Sequence, residues 1–204
     1  MLRSAGGTYF NPDEAAAAIR ATTPTLGIEQ ANSEAWLQGK RMLEQAIERR
    51  LDFAFETTLG GNTITQLLGR AGATGFAVRV WYVALASPEL HLQRVRERVA
   101  KGGHDIPEGD VRRRYDQSRE NLIRLLPSLD ELRVFDNSAS ADPHRGDAPA
   151  PLLILHVRHG RIVDGCPLPR CPDWAKPIVM AALETKRAIR SRTVRTSKRP
   201  RRRR

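Results

Sequence analysis

Residues 77–90 read AVRVWYVALASPEL and contain the clearest structural signal in the chain. Residues 77–85 are the longest apolar run, which predicts a buried strand. Ser87, Pro88 and Glu89 then form a strong helix start: a capping hydroxyl, a proline at the first helical position, and an acid near the positive end of the helix dipole. This stretch therefore predicts a strand that leads directly into a helix.

The same alternation continues on both sides of this stretch. Apolar segments predict strands at 8–10, 52–56 and 132–135, and a hairpin over 152–163 around His159-Gly160. Amphipathic spacing or helical composition predicts helices at 14–21, 31–50, 63–73, 110–126 and 174–190. Strands that alternate with helices predict an α/β fold with a mainly parallel sheet flanked by helices.

Charge separates a neutral body from a basic tail. The 204 residues have a formal net charge of +11, but residues 186–204 hold eleven basic side chains and no acid, which leaves 23 basic and 23 acidic residues in the body. We expect the tail to be disordered. It could bind nucleic acid or an anionic membrane electrostatically, or act as a solubility or interaction tail. It has no aromatic residue for base stacking.

The apolar pattern and the cysteine count bear on the compartment. No window of eighteen consecutive apolar residues predicts a membrane span, and the first ten residues do not resemble a secretory signal. Two cysteines exclude a disulfide scaffold, so we expect a cytoplasmic protein. His156, His159, Cys166 and Cys171 lie close in sequence, but their spacing is poor for zinc. Ordinary loop residues are the preferred interpretation, and no metal site is predicted.

Polar residues follow the predicted strands, where α/β sheets bind their ligands. Asn11 and Asp13 follow the first strand, Glu56 to Thr58 follow the second, and 136–138 follow the fourth. Asp13 could take a proton from a substrate hydroxyl or hold a water on Mg²⁺, or it could cap the next helix. An acid that ends the Phe-Ala-Phe strand is costly unless it is used or paired, which favours a role for Glu56.

Arginines cluster around a glycine-rich turn. Arg94 and Arg98 lie on one predicted helix, and Arg112 to Arg114 and Arg119 follow the Gly102-Gly103 turn. Two arginine-bearing helices could form a lid that closes on phosphates, because guanidinium is permanently charged and bidentate. The alternative is a solvated face on which Glu97, Glu108 and Glu120 pair locally with the arginines.

The chain resembles the zeta-toxin-like family of P-loop kinases over roughly residues 8–165. The resemblance rests on these segments, in order: YFNPD at 9–13, FETTL at 55–59, SPEL at 87–90, RVAKGGHDIP at 98–107, RRRY at 112–115 and DNS at 136–138. It implies a nucleoside-monophosphate-kinase-like fold and ATP- and Mg²⁺-dependent phosphorylation of a small-molecule hydroxyl. The best-known members act on a UDP-linked amino sugar, and an antitoxin protein is an implied partner.

The resemblance also implies roles for individual residues. Asp13 matches the proposed general base, and Glu56 and Thr57 match the substrate-binding segment. Arg98 and one residue of the 112–114 triplet match lid arginines that steady the transferred phosphoryl group. The candidate catalytic residues are therefore Asp13, Arg98, Arg112 and Arg113. The candidate substrate-binding residues are Asn11, Glu56, Thr57 and Thr58.

One motif of such kinases is absent from the chain. Phosphate binding ordinarily uses Gly-x-x-x-x-Gly-Lys-Ser/Thr, and the one Gly-Lys pair, Gly39-Lys40, lies within a predicted helix and is followed by Arg41. We therefore expect the first strand and phosphate loop to be missing, by truncation at the N-terminus, and ATP binding to be poor. The alternative function is a non-catalytic remnant that binds RNA or a partner through its tail. The expected domains are 1–165 (kinase), 166–185 (loop and helix) and 186–204 (tail).

Overall fold

A computed structural model describes residues 8–139 and 150–185. The chain divides into two compact units, Met1–Leu67 and Leu68–Arg204. The strands are β1 (Thr8–Phe10), β2 (Phe53–Phe55), β3 (Arg79–Ala84), β4 (Glu131–Asp136), β5 (Leu152–Arg158) and β6 (Arg161–Gly165). The helices are α1 (Pro12–Thr22), α2 (Ile28–Arg49), α3 (Asn62–Ala73), α4 (Pro88–Ala100), α5 (Glu108–Leu125) and α6 (176–185). The predicted α/β class is confirmed, and the predicted tail lies outside the described residues.

The first unit joins a parallel strand pair to two long helices. β1 pairs with β2 in parallel, with Tyr9 opposite Ala54. Ala16 of α1 packs with Ala31 and Ala35 of α2 in one buried cluster, because small side chains let the two helices approach closely. A Cβ at Gly39 would lie 2.5 Å from the Phe10 ring, so this glycine lets α2 lie directly against the end of β1.

The second unit contains a four-stranded sheet in the order β3-β4-β5-β6. β3 and β4 are parallel, as predicted, whereas β4, β5 and β6 are antiparallel neighbours. The predicted hairpin is confirmed, and its two-residue turn at His159-Gly160 has positive φ at both residues, 48° and 67°. Positive φ at both turn positions matches the right-handed twist of the flanking strands. The antiparallel hairpin makes this sheet mixed.

The helix start after β3 forms as its sequence predicts. The Ser87 hydroxyl accepts a hydrogen bond from the Leu90 amide at 3.2 Å, and Pro88 begins α4. The prediction that residues 77–85 form a fully buried strand is wrong in part, because Trp81 is 49% exposed and Val83 is 54% exposed. Trp81 and Val83 are two residues apart and therefore point to the same face of β3, and in the described residues this face is exposed.

The interior of the second unit lies against the central strands and helix α5. Tyr82 of β3 and Ser118 of α5 hydrogen-bond through their hydroxyls at 2.8 Å, which ties this helix to the sheet. The largest fully buried apolar side chains come from α5, β4, β5 and α6: Leu122, Leu125, Leu132, Val134, Ile154, Leu155 and Ile178. No helix in residues 8–139 and 150–185 is long and apolar enough to cross a membrane.

Two glycines of α3 test how closely this helix is packed. A Cβ at Gly72 would lie 2.4 Å from the carbonyl oxygen of Ser128, whereas a Cβ at Gly69 would meet nothing within 4 Å. We expect Gly72→Ala to lower the free energy of unfolding by about 1–3 kcal/mol, because the helix must shift away from backbone. The control Gly69→Ala is expected to be neutral or stabilising by up to about 1 kcal/mol. Urea unfolding of both variants measures this difference, and equal effects would contradict the packing described here.

Candidate functional site

The carboxyl ends of β1 and β2 bring three polar side chains together. The Glu56 amide donates to the Phe10 carbonyl at 3.1 Å, so the pairing continues one residue past the strands. The Glu56 carboxylate accepts a hydrogen bond from the Tyr9 hydroxyl on one oxygen and from the Asn11 amide group on the other, the latter at 3.3 Å. This carboxylate is exposed, and the two hydrogen bonds hold it in place.

Asn11 links this carboxylate to the start of α1. Its side-chain oxygen accepts hydrogen bonds from the amides of Asp13 at 2.8 Å and Glu14 at 3.2 Å, so Asn11 caps the helix while its amide group faces Glu56. The capping alternative for Asp13 is thereby excluded. Asp13 lies in the first turn of α1 with its side chain exposed, near the positive end of the helix dipole.

Hydroxyl groups line the chain just beyond Glu56. Thr57 and Thr58 are both exposed, and the Thr57 hydroxyl accepts a hydrogen bond from the Leu59 amide at 3.1 Å. Leu59 has a positive φ of 51° and is buried, which fixes the turn that carries the two threonines. The hydrogen bond to Glu56 raises the pKa of Tyr9, so this tyrosine remains a donor at neutral pH.

A second polar cluster lies at the carboxyl end of β4. Asp136 accepts hydrogen bonds from the amide and hydroxyl of Ser138 on one carboxylate oxygen, and from the Trp174 indole at 3.2 Å on the other. The Ser138 hydroxyl in turn accepts from the Ala86 amide at 2.7 Å, just past β3. Through Ser138, the Asp136 carboxylate therefore links the segments that follow the two parallel strands β3 and β4.

Helices α4 and α5 fasten the same loops from the other side. Arg94 donates to the carbonyls of Asn137 at 2.7 Å and Ala139 at 3.2 Å. The Tyr115 hydroxyl donates to the Ala86 carbonyl at 2.6 Å. The sequence analysis placed Arg94 in a possible phosphate-binding lid. In the structure, its side chain links α4 to the loop after β4.

Arg98 lies at the end of α4, next to the glycine-rich turn. It donates to the His104 carbonyl at 3.1 Å, and a Cβ at Gly103 would lie 2.6 Å from its Cγ. The predicted pair of helices joined by this turn is present. Gly103 is needed because the chain passes directly over the Arg98 side chain.

The arginines at the start of α5 are engaged with acids. Arg112 donates to Glu89 at 2.7 Å and to Glu108 at 2.8 Å, and it is 45% exposed. Arg113 pairs with Asp110 at 2.8 Å. The hydrogen bond from Arg112 holds the pKa of Glu89 below its ordinary value. Arg112 therefore forms local ion pairs, which was the alternative to a phosphate-binding lid. One of its partners, Glu89, was not among the acids expected to pair with the arginines.

Sequence reasoning missed a cluster of stacked side chains between α4 and α5. The Arg119 guanidinium lies 3.6 Å from the centre of the Tyr115 ring, and the His91 ring meets the same tyrosine edge-on at 5.7 Å. Burial, together with the charges of Arg94 and Arg119, lowers the pKa of His91. Helical spacing could have predicted the contact between Tyr115 and Arg119, since these residues are four positions apart on α5.

The cysteines form a disulfide, Cys166–Cys171, with their Cα atoms 5.6 Å apart. Sequence reasoning assigned them to an ordinary loop. Of the other residues discussed with them, His156 contacts Glu131 at 2.8 Å and His159 contacts Asp130 at 2.8 Å. The described part of the chain contains no group of three or more His, Cys, Asp or Glu side chains arranged to hold a metal ion.

These features define a class of protein. Parallel strands with polar side chains at their carboxyl ends, together with a pair of arginine-bearing helices joined by a glycine-rich turn, are consistent with an α/β protein of the P-loop NTPase type. The family profile described as zeta toxin matches residues 14–147, and the chain belongs to the zeta toxin family. Of the candidate residues, Glu56 to Thr58 and the three candidate arginines lie inside the matched segment, and Asn11 and Asp13 lie just before it.

One relative gives a further comparison. The chain is 34% identical over 106 residues to an uncharacterized protein of Haemophilus influenzae, an alignment that covers 52% of this chain and 73% of the relative. No solved structure matches the chain significantly. The description of this relative names no substrate.

The environment of His91 predicts a pH dependence. Its folded-state pKa lies below the ordinary value near 6.5. Between these two values, His91 binds more protons in the unfolded chain than in the folded chain. The stability associated with neutral His91 is present above about pH 6.5, and it is lost as the pH falls below that value and through the lower folded-state pKa. We expect Arg119→Met to raise the pKa of His91 in an NMR titration, because a nearby positive charge is removed.

The matched control is Arg96→Met, on the same helix as His91. Arg96 is exposed and does not contribute to the lowered pKa of His91. An equal rise in both variants would show that the effect is not due to the Arg119 charge.

Proposed function

We propose that the protein is an ATP-dependent phosphotransferase that acts on a hydroxyl of a small molecule, namely a UDP-linked amino sugar. The observation that carries this proposal is the arrangement of Tyr9, Asn11 and Glu56 beside Asp13 at one sheet edge. Membership of the zeta toxin family supports a kinase-like activity in general. The substrate is inferred from the resemblance of the site segments.

The acceptor side is assigned to the first unit. Glu56, with both oxygens already directed by Tyr9 and Asn11, accepts hydrogen bonds from substrate hydroxyl or amide groups. The exposed threonines Thr57 and Thr58 add hydroxyl contacts. Asp13 acts as general base toward the hydroxyl that attacks, because its carboxylate is exposed in the first turn of α1 and is accessible to a substrate.

Three arginines are proposed to contact the phosphoryl group, as the family resemblance implies. Arg98, Arg112 and Arg113 would steady the charge of the transferred group, the role that guanidinium fills in phosphoryl transfer. Arg112 must then exchange Glu89 and Glu108 for phosphate oxygens. This exchange is inexpensive, because ion pairs between exposed side chains contribute little net free energy.

ATP and Mg²⁺ are the proposed cofactors, with Mg²⁺ bound mainly by the phosphates and water. When bound, the ion neutralises charge on the triphosphate. The chain contains no Gly-x-x-x-x-Gly-Lys-Ser/Thr segment, so we propose that the 204-residue chain holds the triphosphate weakly and is impaired in transfer. We further propose a cytoplasmic location, where ATP and the UDP-linked amino sugar are both available. An antitoxin protein is the proposed partner.

Two variants separate acceptor binding from chemistry. We expect Glu56→Gln to weaken binding of a UDP-linked amino sugar about tenfold or more, because charge-assisted hydrogen bonds are lost. Asp13→Asn is expected to leave that binding nearly unchanged but to slow single-turnover phosphoryl transfer from labelled ATP by roughly 10²- to 10⁴-fold. Calorimetric titration and product analysis provide the two measurements.

The control for both variants is Asp52→Asn, an exposed acid at the opposite end of β2. It should change neither acceptor binding nor transfer. ATP titration of the same proteins shows whether a slow rate reflects weak triphosphate binding rather than the loss of the base. Full transfer by Asp13→Asn, or unaltered acceptor binding by Glu56→Gln, would refute the assigned roles.

The basic tail supports a second candidate function, which is nucleic-acid binding. Residues 186–204 carry eleven positive side chains without an acid, and they lie outside the described residues. Deleting 186–204 should abolish a mobility shift with mixed-sequence RNA, and the intact chain should lose this shift as salt rises. Replacing every Arg and Lys of the tail with Gln keeps the length and serves as the control. A shift that survives either change would place RNA binding elsewhere.

A further inference from the structure

The segment between β6 and α6 connects a cysteine pair to the polar cluster at the end of β4. The six-residue loop closed by Cys166 and Cys171 is anchored at its first residue, where the Cys166 amide donates to the Ile154 carbonyl at 2.9 Å. Cys171 is 5% exposed, and it is followed by the buried pair Trp174 and Ala175. The disulfide therefore lies just before the residues that enter the core.

Trp174 carries the connection to the strand ends. Its indole donates to Asp136, and its ring packs against Tyr82 with the ring centres 6.5 Å apart. Asp136 in turn orients Ser138, whose hydroxyl accepts from the Ala86 amide. A change in the position of Trp174 thus removes one of the partners that hold the exits of β3 and β4.

A tight turn holds the two cysteines close together. The loop holds a short 3-10 helix, Leu168–Arg170, in which the Cys171 amide donates to the Pro167 carbonyl at 3.1 Å. This turn keeps the Cα atoms at 5.6 Å, within the range that a disulfide requires. Cys166 is partly exposed whereas Cys171 is buried, so an external thiol reaches Cys166 first.

We propose that Cys166 and Cys171 are a reversible thiol–disulfide modification site whose state controls the contact between Trp174 and Asp136. In the oxidised state the crosslink holds the start of the Trp174 segment against β5. In the reduced state Cys171 is tied to Cys166 only by the turn, and the indole contact with Asp136 becomes weaker. This inference goes beyond the proposed transferase activity and does not depend on it.

The chemistry is ordinary thiol–disulfide exchange with a low-molecular-weight disulfide as oxidant. The Cys166 thiolate attacks the external disulfide, forms a mixed disulfide and releases one external thiolate. The Cys171 thiolate then attacks the Cys166 sulfur and expels the second external thiolate. The protein loses two protons and two electrons, and the external disulfide gains both as two thiols. Reduction is the reverse sequence.

The test uses the full chain labelled with ¹⁵N and equilibrated in glutathione buffers of graded redox ratio. Alkylation and mass analysis give the fraction of disulfide, and the Trp174 indole resonance, assigned with Trp174→Phe, reports the contact with Asp136. We expect the resonance to move with the disulfide fraction, and indole proton exchange to become about tenfold faster on reduction. The indoles of Trp36 and Trp81 are internal controls and should not move.

Two variants complete the test. Cys166→Ser with Cys171→Ser should hold the Trp174 resonance at its reduced position in every buffer. Asp136→Ala should shift that resonance while the disulfide still forms, since it removes only the acceptor. The proposal is overturned if the pair stays fully oxidised or fully reduced across the glutathione range, or if the Trp174 indole is the same in both states.

Discussion

Parallel pairing of neighbouring strands is the constraint on which the rest of this structure depends. Two parallel strands end at the same edge, so the residues that follow them meet without being close in sequence. In the first unit this brings Asn11 to Glu56 across 45 residues, and in the second it brings Ala86 to Ser138 across 52. The helices between the strands are the crossovers that parallel pairing requires, so each polar cluster follows from the topology.

The two ends of β4 each carry a carboxylate, and the two carboxylates differ in the groups that bond to them. At its start, Glu131 is buried and receives His156 and Arg133, at 2.8 and 2.9 Å. Burial alone would raise the pKa of Glu131, but the hydrogen bonds from these two residues outweigh it and lower the pKa. This carboxylate therefore stabilises the fold above its unfolded-state pKa, and the contribution is lost as the pH falls through the folded-state value. At the other end, Asp136 is surrounded by neutral donors that shape loops.

Local signals in the sequence were sufficient for the elements, but not for their distant partners. The Ser87-Pro88-Glu89 start and the His159-Gly160 turn are encoded by adjacent residues, and both form as predicted. The contact of Trp174 with Asp136 spans 38 residues and depends on how the segment after β6 packs, which no spacing rule reveals. The exposure of Trp81 has the same origin, because an apolar run cannot show whether other elements cover both faces of its strand.

The two helix starts that follow parallel strands show why location, rather than local pattern, decides function. Asn11-Pro12-Asp13 and Ser87-Pro88-Glu89 both place a cap, a proline and an acid in order, and both caps form. Glu89 of α4 forms an exposed ion pair with Arg112 of α5. Within the described ranges no ion pair involves Asp13, and its side chain is exposed. The same local sequence pattern thus gives an acid that pairs with an arginine, Glu89, in one unit. In the other unit it gives Asp13, which by our proposal is a catalytic acid–base group.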